Sequence, residues 1–125
     1  MPINFKVIPE KKLISIKWVG RITGSMVLES FKNFHHANGW SPYYNELVDL
    51  SEAELTDITK FTIMEFKQFI ETVLSQNDHK KKVAIYAPNS LQFGISRSFS
   101  TQIEDLQYIQ VFKKLEEAKQ WLGID

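Results

Sequence analysis

The segment around Pro88 restricts the fold of this chain more than any other part of the sequence. Residues 83–87 read Val-Ala-Ile-Tyr-Ala, a short apolar run typical of a strand that is buried on both faces of a parallel sheet. Pro88 ends this strand, and Asn89 with Gln92 three residues later forms a capping box that starts a helix at once. A strand, a tight turn and a helix in direct succession are the building unit of an α/β protein.

Strand patterns occur in four further places. Alternating apolar residues in 3–7 and 14–18 predict a hairpin at the amino terminus, and short apolar runs at 47–50 and 108–112 predict two more strands. The polar stretch 51–60, which follows the third strand, predicts a loop with room for a turn of helix.

Between the strands the apolar period changes from 2 to 3.6. The spacing predicts one helix from Ser25, a second opened by a capping box of Thr62 and Glu65, a third after the proline, and a fourth closed by Gly123. The predicted order is ββαβαβαβα, which right-handed crossovers fold into a mixed, mostly parallel sheet with helices packed on it. Residues 1–125 are predicted to form a single domain.

Charge and residue types exclude several classes of function. Fifteen Lys and Arg residues balance fifteen Asp and Glu residues, so no net field attracts nucleic acid. The only basic run, 79–82, is interpreted as solvated loop residues. The chain has no cysteine, and His35 and His36 are neighbours that project about 100° apart on a helix, too far to chelate one ion. We therefore expect no metal, no cofactor and no nucleic-acid partner.

Targeting and catalytic motifs are missing from the sequence. No apolar run approaches the roughly 20 residues that span a bilayer, and the amino terminus lacks a signal-peptide pattern. We therefore expect no membrane insertion and, for a chain without cysteine, a cytoplasmic location. No nucleophile elbow, Walker loop or dinucleotide-binding turn occurs, so we expect a protein that is not an enzyme.

Aromatic side chains form one candidate ligand pocket. Trp40, Tyr43 and Tyr44 fall in a predicted loop, where an exposed aromatic cluster indicates a partner or an apolar ligand. Phe93 and Arg97 lie on the helix after the proline and are the other candidate pocket residues. Together they predict a site for a lipid or another small apolar molecule.

Three stretches in the carboxyl-terminal half carry a resemblance to a known family. They are 82–88 (KVAIYAP), 93–99 (FGISRSF) and 117–123 (EAKQWLG). With the order of elements, they resemble the STAS superfamily, the SpoIIAA-like fold of bacterial anti-sigma-factor antagonists. The resemblance is greatest to a small uncharacterised bacterial branch that is akin to Sec14-type lipid-binding domains. It covers nearly the whole chain and implies a non-enzymatic α/β domain that works by binding.

The resemblance also implies a modification site. In the antagonists, a partner kinase phosphorylates a Ser or Thr at a helix start, shortly after a strand that ends in Asp-Leu. By position, Thr59 corresponds to the phosphorylated residue and Asp57 to its acidic neighbour, while Asp49 and Ser51 belong to the same partner loop. Lys60 stands where the antagonists have glycine. The favoured interpretation of Thr59 is a residue at which a helix begins, and a phosphate there would be stabilised by free backbone amides.

Three hypotheses of function follow from the sequence. The first is a non-enzymatic STAS-like regulatory module that binds a protein partner, or itself as a homodimer, through 49–60. The second is a Sec14-like domain that binds a lipid or small apolar molecule. The third is a small enzyme whose site is assembled from residues distant in sequence.

Overall fold

The computed structural model of the protein describes residues 2–37, 41, 43–74 and 80–124. In this part of the chain, five strands and four helices follow one another in the predicted order ββαβαβαβα, which is confirmed. They are β1 (Ile3–Ile8), β2 (Leu13–Thr23), α1 (Gly24–His36), β3 (Asn45–Asp57), α2 (Lys60–Leu74), β4 (Lys82–Tyr86), α3 (Ser90–Ile103), β5 (Tyr108–Phe112) and α4 (Leu115–Leu122).

The strands form one sheet in the order β1-β2-β3-β4-β5. β1 pairs with β2 in antiparallel fashion, with Ile3 opposite Trp18, and a 3-10 turn at Pro9–Lys11 reverses the chain between them. Lys12 completes the turn in the left-handed conformation. The other three pairings are parallel, which confirms the predicted hairpin and the mixed, mostly parallel sheet.

β3 is much longer than the sequence predicted, and the predicted loop at 51–60 is wrong. β3 continues to Asp57; it pairs with β4 only near its start and with β2 along most of its length, through two register shifts. The carboxylates of the polar stretch face cations on β2: Glu52 pairs with Lys17, and Asp57 pairs with Arg21 Nε at 2.8 Å. Polar side chains on the open face of a strand are compatible with a sheet, because only the other face enters the core.

The starts of the helices follow the capping residues. α3 has the predicted capping box: Asn89 Oδ1 accepts the Leu91 amide at 2.8 Å, and Gln92 Oε1 accepts the Asn89 amide at 3.3 Å. α2 starts earlier than predicted, because the Thr59 hydroxyl accepts the Thr62 amide at 3.3 Å and so takes the capping position. The predicted start at Thr62 is wrong by about one helical turn.

The helices cover the two faces of the sheet unequally. α1, α2 and α3 lie over the face that holds the main core, and α4 covers a smaller cluster on the opposite face, around Leu47 and Ala84. α2 packs between α1 and α3 and approaches them more closely than it approaches any strand. Free space therefore remains beneath α2.

Candidate functional site

A partly open cavity of about 80 Å³ lies between the sheet and helices α1, α2 and α3. Its wall is almost wholly apolar, since the inward faces of β3, β4 and α2 supply most of it. The apolar side chains of the wall include Val27, Phe31, Val48, Leu50, Leu55, Ile58, Ile63, Phe66, Ile70, Val83, Ile85, Ile95 and Phe99. A concave apolar space with a few polar groups is the general form of a small-molecule site.

A cluster of buried polar side chains closes the cavity at the amino-terminal edge of the sheet. Glu46 lies at the start of β3, Lys81 directly before β4, and Gln107 directly before β5, and they are 4%, 1% and 4% exposed. The pairing of Lys82 with Tyr108 places Lys81 and Gln107 side by side on neighbouring strands. Glu46 and Gln107 both line the cavity.

The charged members of this cluster neutralise each other. The Lys81 ammonium group pairs with the Glu46 carboxylate and donates a hydrogen bond to the Ser41 carbonyl oxygen at 3.0 Å. Burial lowers the pKa of Lys81, and Glu46 opposes that shift. A buried ion pair is a weak source of stability because both groups lose their hydration, so its presence beside a cavity points to a role other than stabilising the fold.

Three polar groups in the cavity wall have no hydrogen-bond partner among the described residues. The Trp18 indole Nε1 is buried and unpaired. Ser96 on α3 and Gln107 are 3% and 4% exposed, and no hydrogen bond joins either side chain to the described part of the chain. Buried polar groups are nearly always paired in folded proteins, so each of these groups is available to a bound molecule.

The aromatic residues predicted as a pocket do not come together. Tyr43 and Tyr44 directly precede β3, at the amino-terminal edge of the sheet; Tyr43 is exposed, and Tyr44 packs partly against the main core. Phe93 lies in the first turn of α3, at the opposite edge, and Arg97 lies in the middle of that helix, with its guanidinium carbon 5.9 Å from the centre of the Phe93 ring. None of these four lines the cavity, and Trp40 lies outside the described residues.

The four residues predicted as a partner loop are spread along β3 and the start of α2. Asp49 is inside β3, where its Oδ1 accepts the Ser51 amide at 2.9 Å. Asp57 ends the strand, and Thr59 is exposed at the start of α2. At about 3.3 Å per residue, the strand separates Asp49 from Asp57 by roughly 25 Å. Asp49 and Ser51 are therefore neighbours in the first half of β3, Asp57 and Thr59 lie at its far end, and the four residues do not form one loop.

The described part of the chain contains neither a group of side chains suited to a metal ion nor a helix suited to a membrane. No three His, Asp or Glu side chains there are grouped closely enough to hold one metal ion. None of the described helices has the length and the apolar character needed to cross a bilayer.

The buried cluster was missed by the sequence analysis, and the interpretation of 79–82 as a solvated run is wrong for Lys81. A signal for it existed in the alternation of the strands. Lys81 stands two residues before Val83, and the same spacing joins Glu46 to Val48 and Gln107 to Ile109. Since side chains two apart share a face of a strand, each polar residue continues an inward-facing apolar series.

The order of elements, the single antiparallel strand at the sheet edge and the helix layers define a SpoIIAA-like α/β fold. A solved structure with this fold matches the chain: an uncharacterised protein of the DUF3478 family from Shewanella loihica PV-4. It is 18% identical, with a TM-score of 0.58, and the match covers 96% of this chain and 91% of the other. No protein-family model matches the sequence, and no curated protein is significantly similar to it.

Proposed function

We propose that the protein is a non-enzymatic binding domain that holds a small, largely apolar molecule in the cavity beneath α2. The observation that carries the proposal is an apolar cavity whose wall contains the buried, unpaired Trp18 Nε1, together with Ser96 and Gln107, which are 3% and 4% exposed and whose side chains make no hydrogen bond to the described part of the chain. A cavity left by imperfect packing would be uniformly apolar, because an unpaired buried polar group destabilises the fold by about 1–3 kcal/mol. A bound molecule with matching polar atoms removes that penalty.

The size of the cavity limits the ligand. Its volume of about 80 Å³ is roughly half of the 150 Å³ that holds benzene in an engineered protein core. A molecule of six to eight heavy atoms therefore enters only if the wall yields. α2 is the wall element that packs on its neighbouring helices more closely than on the sheet, so its displacement breaks the fewest contacts with the strands.

Benzene titrated into the protein tests this proposal. Methyl NMR signals of Val48, Ile63 and Ile85, which line the cavity, should shift on binding, while those of Leu13 and Leu47 on the opposite face of the sheet should not. Uniform shifts across both cores, or no shift up to the solubility limit of benzene, would contradict it.

A matched pair of variants on α3 locates the binding. Ser96→Leu places an apolar side chain in the cavity and should abolish the methyl shifts. Ser98→Leu makes the same change at an exposed position of the same helix and should leave them unchanged. Binding that survives Ser96→Leu would place the ligand elsewhere.

A second candidate function, a regulatory module that binds a protein partner, is supported by the surface at the start of α2. Phe61 and Met64 are 69% and 57% exposed, although both are apolar, and they lie two and five residues after the exposed Thr59. Exposed apolar side chains three residues apart share one face of a helix and suit a partner surface. A phosphate on Thr59 would alter that surface, because it adds about −1.5 to −2 charges beside it.

Affinity capture with Thr59→Glu and Thr59→Ala tests the second candidate. Loss of a wild-type partner, or of self-association, in Thr59→Glu alone would support a switch, and Thr101→Glu on the exposed side of α3 is the control. Identical partner sets for all variants, with no modified Thr59 in protein from its native cell, would contradict it.

A further inference from the structure

We propose that the ligand of this cavity carries one uncharged hydrogen-bonding end, a hydroxyl or an amide, which is held by the Gln107 side chain at the amino-terminal edge of the sheet. The proposal rests on the proposed binding function and adds the chemical class of the ligand. Gln107 is 4% exposed, lines the cavity, and has no side-chain hydrogen bond to the described part of the chain. Its amide both donates and accepts, as a hydroxyl group requires of its partner.

The ion pair beside Gln107 decides against a charged ligand. Glu46 and Lys81 are paired with each other, so this end of the cavity has no net charge to offer. An ionised group brought here would lose its hydration and gain no counter-ion, which is strongly unfavourable in an apolar site. A neutral hydroxyl or amide loses far less hydration and recovers it through one hydrogen bond to Gln107.

The rest of the cavity specifies the body of the ligand. Apart from Trp18 Nε1 and Ser96, the groups facing the free space beyond the cluster are mainly branched aliphatic and aromatic side chains. Such a surface favours hydrocarbon by about 25 cal/mol for each Å² removed from water. The ligand is therefore a short amphiphile that binds with its polar end toward Gln107 and its apolar body beneath α2.

Three probes that share one ring separate these requirements. Benzene has no polar end, phenol has an uncharged hydroxyl group, and benzoate is ionised at neutral pH. We expect phenol to bind roughly fivefold more tightly than benzene, the gain of one net hydrogen bond. Benzoate should bind at least tenfold more weakly than phenol.

A matched pair of variants tests the role of Gln107. Gln107→Met keeps the length of the side chain and removes its amide, so phenol should lose its preference and bind no more tightly than benzene, with benzene unaffected. Gln110→Met makes the same change at an exposed position of β5 and should retain the wild-type preference. The order of the three probes on the wild-type protein needs no variant, so it tests the proposal even if Gln107→Met does not fold.

The outcomes distinguish the two proposals. If none of the probes binds, the proposed function fails and this inference fails with it. If benzene binds and phenol shows no preference, or if the preference survives Gln107→Met, the assignment of Gln107 is overturned while the apolar cavity stands. If benzoate binds as tightly as phenol, the uncharged end is overturned.

Discussion

Removing one partner of the buried Glu46–Lys81 pair should destabilise the protein strongly. The side chains of Lys81 and Glu46 are 1% and 6% exposed, so water cannot solvate the charge that remains. Lys81→Met keeps the aliphatic stem and leaves the carboxylate buried and unpaired, at an expected loss of about 3–5 kcal/mol. Domains of this size are stable by only about 5–15 kcal/mol, so the variant should unfold at much lower urea concentration.

A double variant shows whether the loss of stability in Lys81→Met comes from the unpaired Glu46 charge or from the loss of a stabilising ion pair. Glu46→Leu with Lys81→Met removes both charges and should recover most of the stability, to within about 1 kcal/mol of the wild type or above it, because neither apolar replacement needs hydration. Lys81→Met alone should regain stability at acidic pH, as the unpaired carboxylate takes up a proton. Urea unfolding followed by circular dichroism, with linear extrapolation, measures all four proteins.

The exposed pair between Lys17 and Glu52 is the matched control. Both side chains are about half exposed, and Lys17→Met should leave the unfolding midpoint unchanged within experimental error. The reasoning is refuted if Lys81→Met is as harmless as Lys17→Met. It is also refuted if the double variant loses the sum of the two single losses, since the penalty would then come from packing.

Three further predictions concern caps, close packing and pH. Asn89→Ala removes the capping box of α3 and should lower stability by about 1 kcal/mol in thermal or urea unfolding, whereas a change below about 0.3 kcal/mol would show that the box is unimportant. Gly24→Ala should destabilise by about 1–3 kcal/mol because an added Cβ overlaps the Thr62 side chain, and in a Thr62→Ala background, which removes the closest contact but keeps the Cβ of residue 62 at 3.1 Å, the loss should be smaller. Burial lowers the folded-state pKa of Lys81 below its ordinary value of 10.5. Between these two pKa values the unfolded chain binds more protons than the folded protein does. The stability of the wild type relative to Lys81→Met should therefore rise with pH over that interval and not fall.

The sequence predicted the fold well where local signals agree with one another. The apolar run before Pro88 and the Asn89 capping box predicted β4 and α3 in almost their observed positions. β5 and the closing Gly123 are also where the periodicity placed them. In these segments the secondary-structure propensity, the capping residue and the burial pattern all favour the same structure. Tertiary contacts therefore agree with the local preference of the chain.

The extension of β3 could not be read from the same signals. Residues 51–57 are rich in carboxylates, a composition that favours a loop when it is considered alone. They form a strand because β2 lies alongside and pairs with their backbone, and the side chains of Lys17 and Arg21 on β2 pair with Glu52 and Asp57. The Gln92 side chain, from α3, also donates to the Ala53 carbonyl oxygen at 2.7 Å, where β4 no longer reaches.

The candidate site was the least predictable part of the molecule. Its buried polar residues, Glu46, Lys81 and Gln107, are separated by up to 61 positions and carry no motif. Lys81 also stands in a run of basic residues, which favours a solvated interpretation. Alternation places each of these polar residues on the same face of its strand as the main core. However, Leu47 and Ala84 on the opposite face are buried as well. Because both faces of the central strands are apolar, the sequence does not show which face a polar residue should occupy.

The sequence by itself determined the alternation of strands and helices, since the apolar period, capping residues and turns act within a few positions of each other. It thereby determined the class of fold. Only the tertiary structure decided which polar residues are buried, that two of them neutralise each other, and that space remains beneath α2. Those properties depend on how neighbouring strands are aligned and how closely a helix can approach them, which no local segment encodes.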